Sequence, residues 1–201
     1  MGGNNRNADR KRRSFTLLVV AMVVSAWPLL AQDRGEVGAF AEIFRLGTIT
    51  PTTNFAGIGI RGSKHVHRNV QFEAELSYNF RRDFVTPFSN GPSIANVPSR
   101  MSVLNFLFGP KIQTAGPIRV FVTLKVGVLD FNVSRAGIPP GFTTAVNRAI
   151  NGGTAGAFYP GGGVELFKGP IGLRAEVGDE IYFDNGGNNN LRATFGPQFR
   201  F

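Results

Sequence analysis

The stretch Leu191–Phe201, LRATFGPQFRF, decides the fold class. Leu191, Ala193, Phe195, Pro197, Phe199 and Phe201 are apolar, and Arg192, Thr194, Gly196, Gln198 and Arg200 between them are polar or small. A period of two puts the first set on one face of an extended strand and the second on the other. Such a strand suits two media. Its apolar face can pack in a core with the polar face in water, or it can face lipid with the polar face in an enclosed interior.

Working back from this strand, the same rhythm recurs seven times. Residues 36–45 alternate Val37, Ala39, Ala41 and Ile43 with Glu42 opposite, and 54–62 set Ala56, Ile58 and Ile60 against Gly57, Gly59 and Arg61. The cleanest alternation is 70–80, where Val70, Phe72, Ala74, Leu76, Tyr78 and Phe80 oppose Gln71, Glu73, Glu75, Ser77 and Asn79. Residues 101–113 oppose Leu104, Phe106, Phe108 and Ile112 to Asn105, Gly109, Lys111 and Gln113. From Ile118 to Val128 the polar face holds Arg119, Thr123, Lys125 and Gly127. The sixth segment, 155–167, is interrupted by Pro160 and Gly161–Gly163 and resumes around Glu165; the seventh, from Ile171, carries Arg174, Glu176 and Gly178.

Three features favour the lipid-facing reading over a β-sandwich or a soluble lipocalin-like carrier. The strand count is even, and most segments reach the roughly 9–11 residues a tilted strand needs to cross a bilayer. Connections alternate in length: 63–68, 114–117 and 168–170 are short, while 46–53, 81–100, 130–154 and 184–190 are longer, as turns and loops on opposite sides of a membrane would be. The polar faces carry near-balanced charges, which suits a confined lumen where an unpaired ion is costly. Lipid also demands closure, because an open sheet edge would leave backbone groups unsatisfied. The expected fold is all-β, an eight-stranded antiparallel transmembrane β-barrel.

A cleavable signal peptide is expected over residues 1–31: a basic run Arg10–Arg13, an apolar run Leu17–Val24 and a small Ala31 before Gln32. Cleavage after Ala31 is the first choice, Ala26 offers a second site, and an uncleaved helix over 15–31 is the competing reading. Residues 32–201 then hold 17 basic and 12 acidic residues, a charge of +5 against +9 for the whole chain. Much of the basicity is therefore address, and no nucleic-acid partner is implied. The chain has no Cys, so backbone pairing and packing must replace the disulfides common in small exported domains.

With these features the chain resembles the small outer-membrane β-barrel family, the OmpA-like transmembrane domain and OmpX-like proteins, over nearly all of 33–201. Only the ending Phe199-Arg200-Phe201 acts as a motif. The resemblance implies a bacterial outer-membrane location, lipid contact, assembly by the barrel-assembly machinery reading Phe199 and Phe201, and a chain that ends with its barrel and carries no peptidoglycan-binding module. Members serve as anchors, adhesion or defence surfaces, narrow pores or occasionally lipid-modifying enzymes. Tyr78, Phe80, Tyr182, Phe183, Phe199 and Phe201 suit interfacial girdles.

Motifs with catalytic or ligand-binding associations have simpler readings here. Gly57–Gly62 spells G-x-G-x-x-G but continues as strand, without the helix and acidic residue of a dinucleotide site. The glycines instead make room for Arg61 and its neighbours. His65 and His67 fall in a short turn without a third ligand, and far from Ser102 and Ser134, so no Ser-His-carboxylate site is expected. Asp184–Asn190 lacks the spaced acids of a calcium loop. Gly161–Gly163 reads as a bulge or kink.

The sequence therefore predicts a monomer with no catalytic residues, cofactor or metal. Its lumen would be lined by Glu42, Arg61, Glu73, Glu75, Lys111, Arg119, Lys125, Glu165, Arg174, Glu176, Arg192 and Arg200. Eight strands leave an interior that side chains can fill. The expected role is a non-enzymatic envelope protein, with a narrow passive channel as the alternative. Loops 81–100, irregular and aromatic, and 130–154, with a short helix at 143–150, are candidate contacts for a surface ligand.

Overall fold

Alternation becomes pairing in the computed structural model, which describes residues 35–47, 53–89, 91, 93–135, 152–184 and 186–201. The expected signal peptide and the helix at 143–150 lie outside these residues. The strands are β1 (Gly35–Leu46), β2 (Thr53–His67), β3 (Val70–Ser89), β4 (Ile94–Gln113), β5 (Ile118–Arg135), β6 (Gly153–Lys168), β7 (Ile171–Asp179), β8 (Ile181–Phe183), β9 (Gly187–Asn188) and β10 (Asn190–Arg200). Every paired neighbour is antiparallel, in the order β5-β4-β3-β2-β1-β10-β7-β6, and β5 pairs with β6 to close the ring. Gly35 and Phe201 exchange backbone hydrogen bonds of 3.0 Å where the first and last strands meet.

Eight staves form the wall. β7 and β8 are one stave, because Gly161 opposes Gly178 and Phe158 opposes Ile181 in a single register against β6. The ladder gap falls opposite Pro160, which has no N–H to donate. β9 is a two-residue return against β8.

Two expectations about the connections are corrected. Residues 81–100 are not an irregular loop: β3 and β4 stay paired from Arg82↔Met101 to Ser89↔Ile94, forming a ribbon above a bulge at Asn79/Arg82. Pro87 and Pro98 are tolerated because a two-stranded ribbon offers edge positions whose missing N–H breaks no inner ladder. Likewise, Gly161–Gly163 form no bulge, since the register against β5 runs unbroken from Phe131↔Gly153 to Ile118↔Leu166. Their lack of side chains serves packing instead. A Cβ on Gly161 would come within 2.6 Å of the Tyr159 ring, and one on Gly163 within 2.8 Å of the Phe121 ring.

The two faces are inverted relative to a water-soluble barrel. Ile43, Val120, Val122, Ile171 and Phe195 are more than half exposed, while Glu73, Glu75, Lys125, Glu165, Arg174 and Arg192 are buried. A β-sandwich or a soluble carrier would put these two sets the other way round. Toward the long-loop end the lumen is apolar: Phe44, Leu46, Phe55, Met101, Val103, Leu107, Leu129, Phe131, Tyr159 and Tyr182 form a packed layer, with Phe84 and Val133 against it. Tyr182 therefore does not join the outer girdle. It shares the inward parity of Arg174 and Glu176, and its ring lies 5.0 Å from that of Phe131.

Candidate functional site

The lumen below the apolar layer is a lattice of buried ions built by strand parity. At its centre, Glu73 and Glu75 of β3 and Glu176 of β7 bring carboxylate oxygens within 4.8 Å of one another, a spacing that could hold a metal ion. Lys125 of β5 takes that position instead. Its Nζ lies 2.8 Å from Glu73, 2.7 Å from Glu75 and 3.1 Å from Glu176. Two of its N–H groups donate to Glu75 and Glu176, and the Glu73 carboxylate lies against it as an ion pair.

Arginines clamp the same acids from the sides. Arg174 donates to both oxygens of Glu73, at 2.5 and 2.9 Å, and its Nη2 reaches Glu176. Arg61 donates to Glu176 at 2.9 Å and to Thr194 at 3.0 Å, and lies 3.4 Å from Glu75. Above them Arg192 bridges Glu75 at 2.9 Å and Glu42 at 2.8 Å, with Glu180 3.3 Å from its Nε. Toward the short turns, Lys111 pairs with Glu165 at 2.6 Å and Arg119 with Glu36 at 2.7 Å. Planar guanidinium forks suit such shared carboxylates, and charge-assisted bonds of this kind are about twice as strong as neutral ones.

Aromatic rings separate the cations. Arg61 stands 4.3 Å over Phe40, Arg174 4.1 Å over Phe121, Arg119 4.8 Å over Phe167 and Lys125 5.4 Å over Tyr159. Ring faces attract cations that have lost their water. The expected role of the β2 glycines takes a specific form here: a Cβ on Gly59 would overlap the Phe40 ring on which Arg61 rests.

The structure brings every charged side chain expected in the lumen into this lattice except Arg200. That residue sits at the rim, donating 2.8 Å to the Gly169 carbonyl and lying 4.8 Å over Phe167. Glu36 and Glu180 are buried members that the strand reading left out, although their even numbers match the inward parity of Glu42 and Glu176. His65 is on β2 and not in a turn. Its ring lies 2.8 Å from Gln71 Nε2 and 3.9 Å from Glu36. Ser102 and Ser134 stand at the opposite end of the barrel, on β4 and β5.

Comparison with solved structures gives this architecture a place. The attachment invasion locus protein Ail of Yersinia pestis superposes with a TM-score of 0.53 at 11% identity, over 84% of this chain and 97% of that one. The fold is that of a small outer-membrane β-barrel. Neisserial surface protein A shows the same likeness, with a TM-score of 0.52 at 9% identity over 83% of this chain and 95% of that one. No protein-family model and no curated protein matches the sequence. This chain shares that fold, and its outer wall of exposed Ile, Val and Phe suits lipid and not water.

Proposed function

We propose that this chain is a sealed, non-enzymatic outer-membrane barrel that supports the envelope and presents its long connections at the surface. One observation carries the reading: the lumen is occupied along its length by buried side chains. An apolar layer from Phe44 to Tyr182 lies over an ion lattice in which Arg174, Arg192, Lys111 and Lys125 are almost fully buried. A permeating ion would have to displace paired charges and then cross a packed apolar layer, and each step is costly. The ribbon formed by β3 and β4 projects Arg81, Arg82, Val85, Ile94 and Arg100 outward at the long-loop end. It is the surface we assign to a ligand or partner cell, together with 130–154. Phe199 and Phe201, exposed at the short-turn end and 6.3 Å apart, are assigned as the signal read by the assembly machinery. We take the working unit to be a monomer.

Planar-bilayer recording tests the sealed lumen. The purified barrel should show no steady single-channel current, and Phe44→Ala with Tyr182→Ala should admit current by opening the apolar layer. Steady conductance in the unmodified protein, altered by Arg174→Gln, would establish the narrow channel instead.

A further inference from the structure

Acids outnumber cations in the lumen. To the five acids expected from the sequence the structure adds Glu36 and Glu180, and the cations set among these seven are the six Arg61, Lys111, Arg119, Lys125, Arg174 and Arg192. His65 and Arg200 stand at the short-turn end, beside Glu36 and the Gly169 carbonyl, whereas Glu180 lies between β7 and β8 on the long-loop side. Among the described residues the lattice is therefore one positive charge short. Six of the acids accept at least one hydrogen bond from a cation. Glu180 is fully buried, and neither of its carboxyl oxygens accepts any among the described residues. The cation against it, Arg192 Nε at 3.3 Å, already donates to Glu42 at 2.9 Å, and its two terminal nitrogens donate to Glu42 and Glu75. The backbone fixes Glu180 in this position. Its N–H donates to the Asn190 carbonyl at 2.7 Å and its carbonyl accepts from Asn190 Nδ2 at 2.9 Å. Tyr182, on the same inward face, belongs to the apolar layer above.

We propose that Glu180 is the proton site of the lumen, held as the uncharged carboxylic acid in the closed barrel at neutral pH, so that its proton supplies the missing charge. Ionised, it would share one N–H with Glu42, buried and without a hydrogen bond of its own, and two acids so placed keep one proton between them. Glu42 is the member that stays ionised, because it accepts from Arg192 Nε and Nη2 and from Asn79 Nδ2 at 2.7 Å. The surrounding walls agree. Arg192 of β10, Glu42 of β1, Glu75 of β3 and Lys125 of β5 are the charges that act on Glu180. Tyr159 of β6 lies 5.1 Å from the Arg192 guanidinium, and Asp179 on its own stave accepts the Asn190 N–H at 2.8 Å. Three carboxylates thus meet two cations, and Lys125 is shared with Glu73 and Glu176 as well. A metal ion would need several oxygen ligands and room beside the guanidinium; a proton needs neither. Closure therefore carries a proton with it. The unfolded chain releases that proton above the ordinary glutamate value of about 4.3, so rising pH favours the unfolded state.

Infrared spectroscopy of the purified barrel in detergent at neutral pH, in ordinary and deuterated buffer, tests this. The unmodified chain should show the carbonyl stretch of a carboxylic acid, shifted by deuterium, and should lose it when heat unfolds the barrel and the carboxyl ionises. Glu180→Gln, an uncharged group of the same shape, should close as judged by gel mobility with and without boiling, and should lack the band. In urea, between about pH 5.5 and 7, the unfolding equilibrium constant of the unmodified chain should rise about tenfold more per pH unit than that of Glu180→Gln. A closed unmodified barrel without the band, a band that survives in Glu180→Gln, or coincident pH slopes would each overturn the proposal. So would native mass spectrometry that finds one sodium or potassium ion on the unmodified chain and none on Glu180→Gln, since the missing charge would then be a metal ion.

Discussion

Replacing Lys125 with methionine removes the charge at the centre of the lumen while keeping most of its volume. Its Nζ lies 2.7–3.1 Å from three carboxylates. At an effective dielectric of about 20, Coulomb attraction at such distances is roughly 6 kcal/mol per contact, and most of it is offset by the desolvation of the ammonium. The net effect follows from what remains. Glu73, Glu75 and Glu176 would crowd within 4.8 Å, clamped by arginines but with their central cation gone. Breaking a buried pair on one side costs about 3–5 kcal/mol. Urea unfolding in lipid vesicles, followed by circular dichroism and gel mobility, should show the midpoint fall by about 2 M at a slope of about 2 kcal/mol per M. Lys125→Met/Glu75→Gln should recover part of the loss, because one of the crowded charges is gone. A loss under about 1 kcal/mol, or no recovery in Lys125→Met/Glu75→Gln, would refute the view that this ammonium stands where a cation is needed.

Other outcomes follow from the wall and the rims. Gly127→Ala should prevent heat-stable closure, because its Cβ would overlap the Phe106 carbonyl oxygen, whereas Gly62→Ala should refold as the unmodified chain does; gel mobility distinguishes them. Deleting Phe201 removes the backbone pair with Gly35, so refolding in detergent should lose only about 1–2 kcal/mol while assembly in cells falls sharply. Normal cellular assembly of that truncation would remove Phe201 from the role of signal. Shortening the ribbon by joining Asp83 to Arg100, which are paired at 2.7 Å, removes Phe84 from the apolar layer and the buried Val97, so it should cost roughly 2–5 kcal/mol in urea while the barrel still closes, and it should abolish any loop-dependent surface binding measured on whole cells.

Strand parity made most of the lumen legible, and the misreadings have physical causes. Tyr182 was expected at the interface because tyrosine is common there, but its parity, continuous with Arg174 and Glu176 across the gap at Pro160, turns it inward. Glu36 and Glu180 obey the same rule and lie at the margins of the strands, where boundaries are hardest to place. The ribbon at 81–100 was missed because three prolines look like loop chemistry. At an edge a proline N interrupts no inner ladder, so the residue type that breaks a central strand is neutral there.

Local alternation determined which residues share a face, how many staves there are, and that one face must be ionic. It could not say which ions meet. Glu42 receives Asn79 from 37 positions away and Arg192 from 150, and no local pattern encodes such separations. Only closure of the barrel, through the β5–β6 pairing and the meeting of β1 with β10, brings opposite walls within hydrogen-bond reach. Closure therefore set Lys125 among three carboxylates, stacked Arg61 on Phe40, and decided that the apolar faces, with no second sheet among the described residues to cover them, are turned outward as lipid would require.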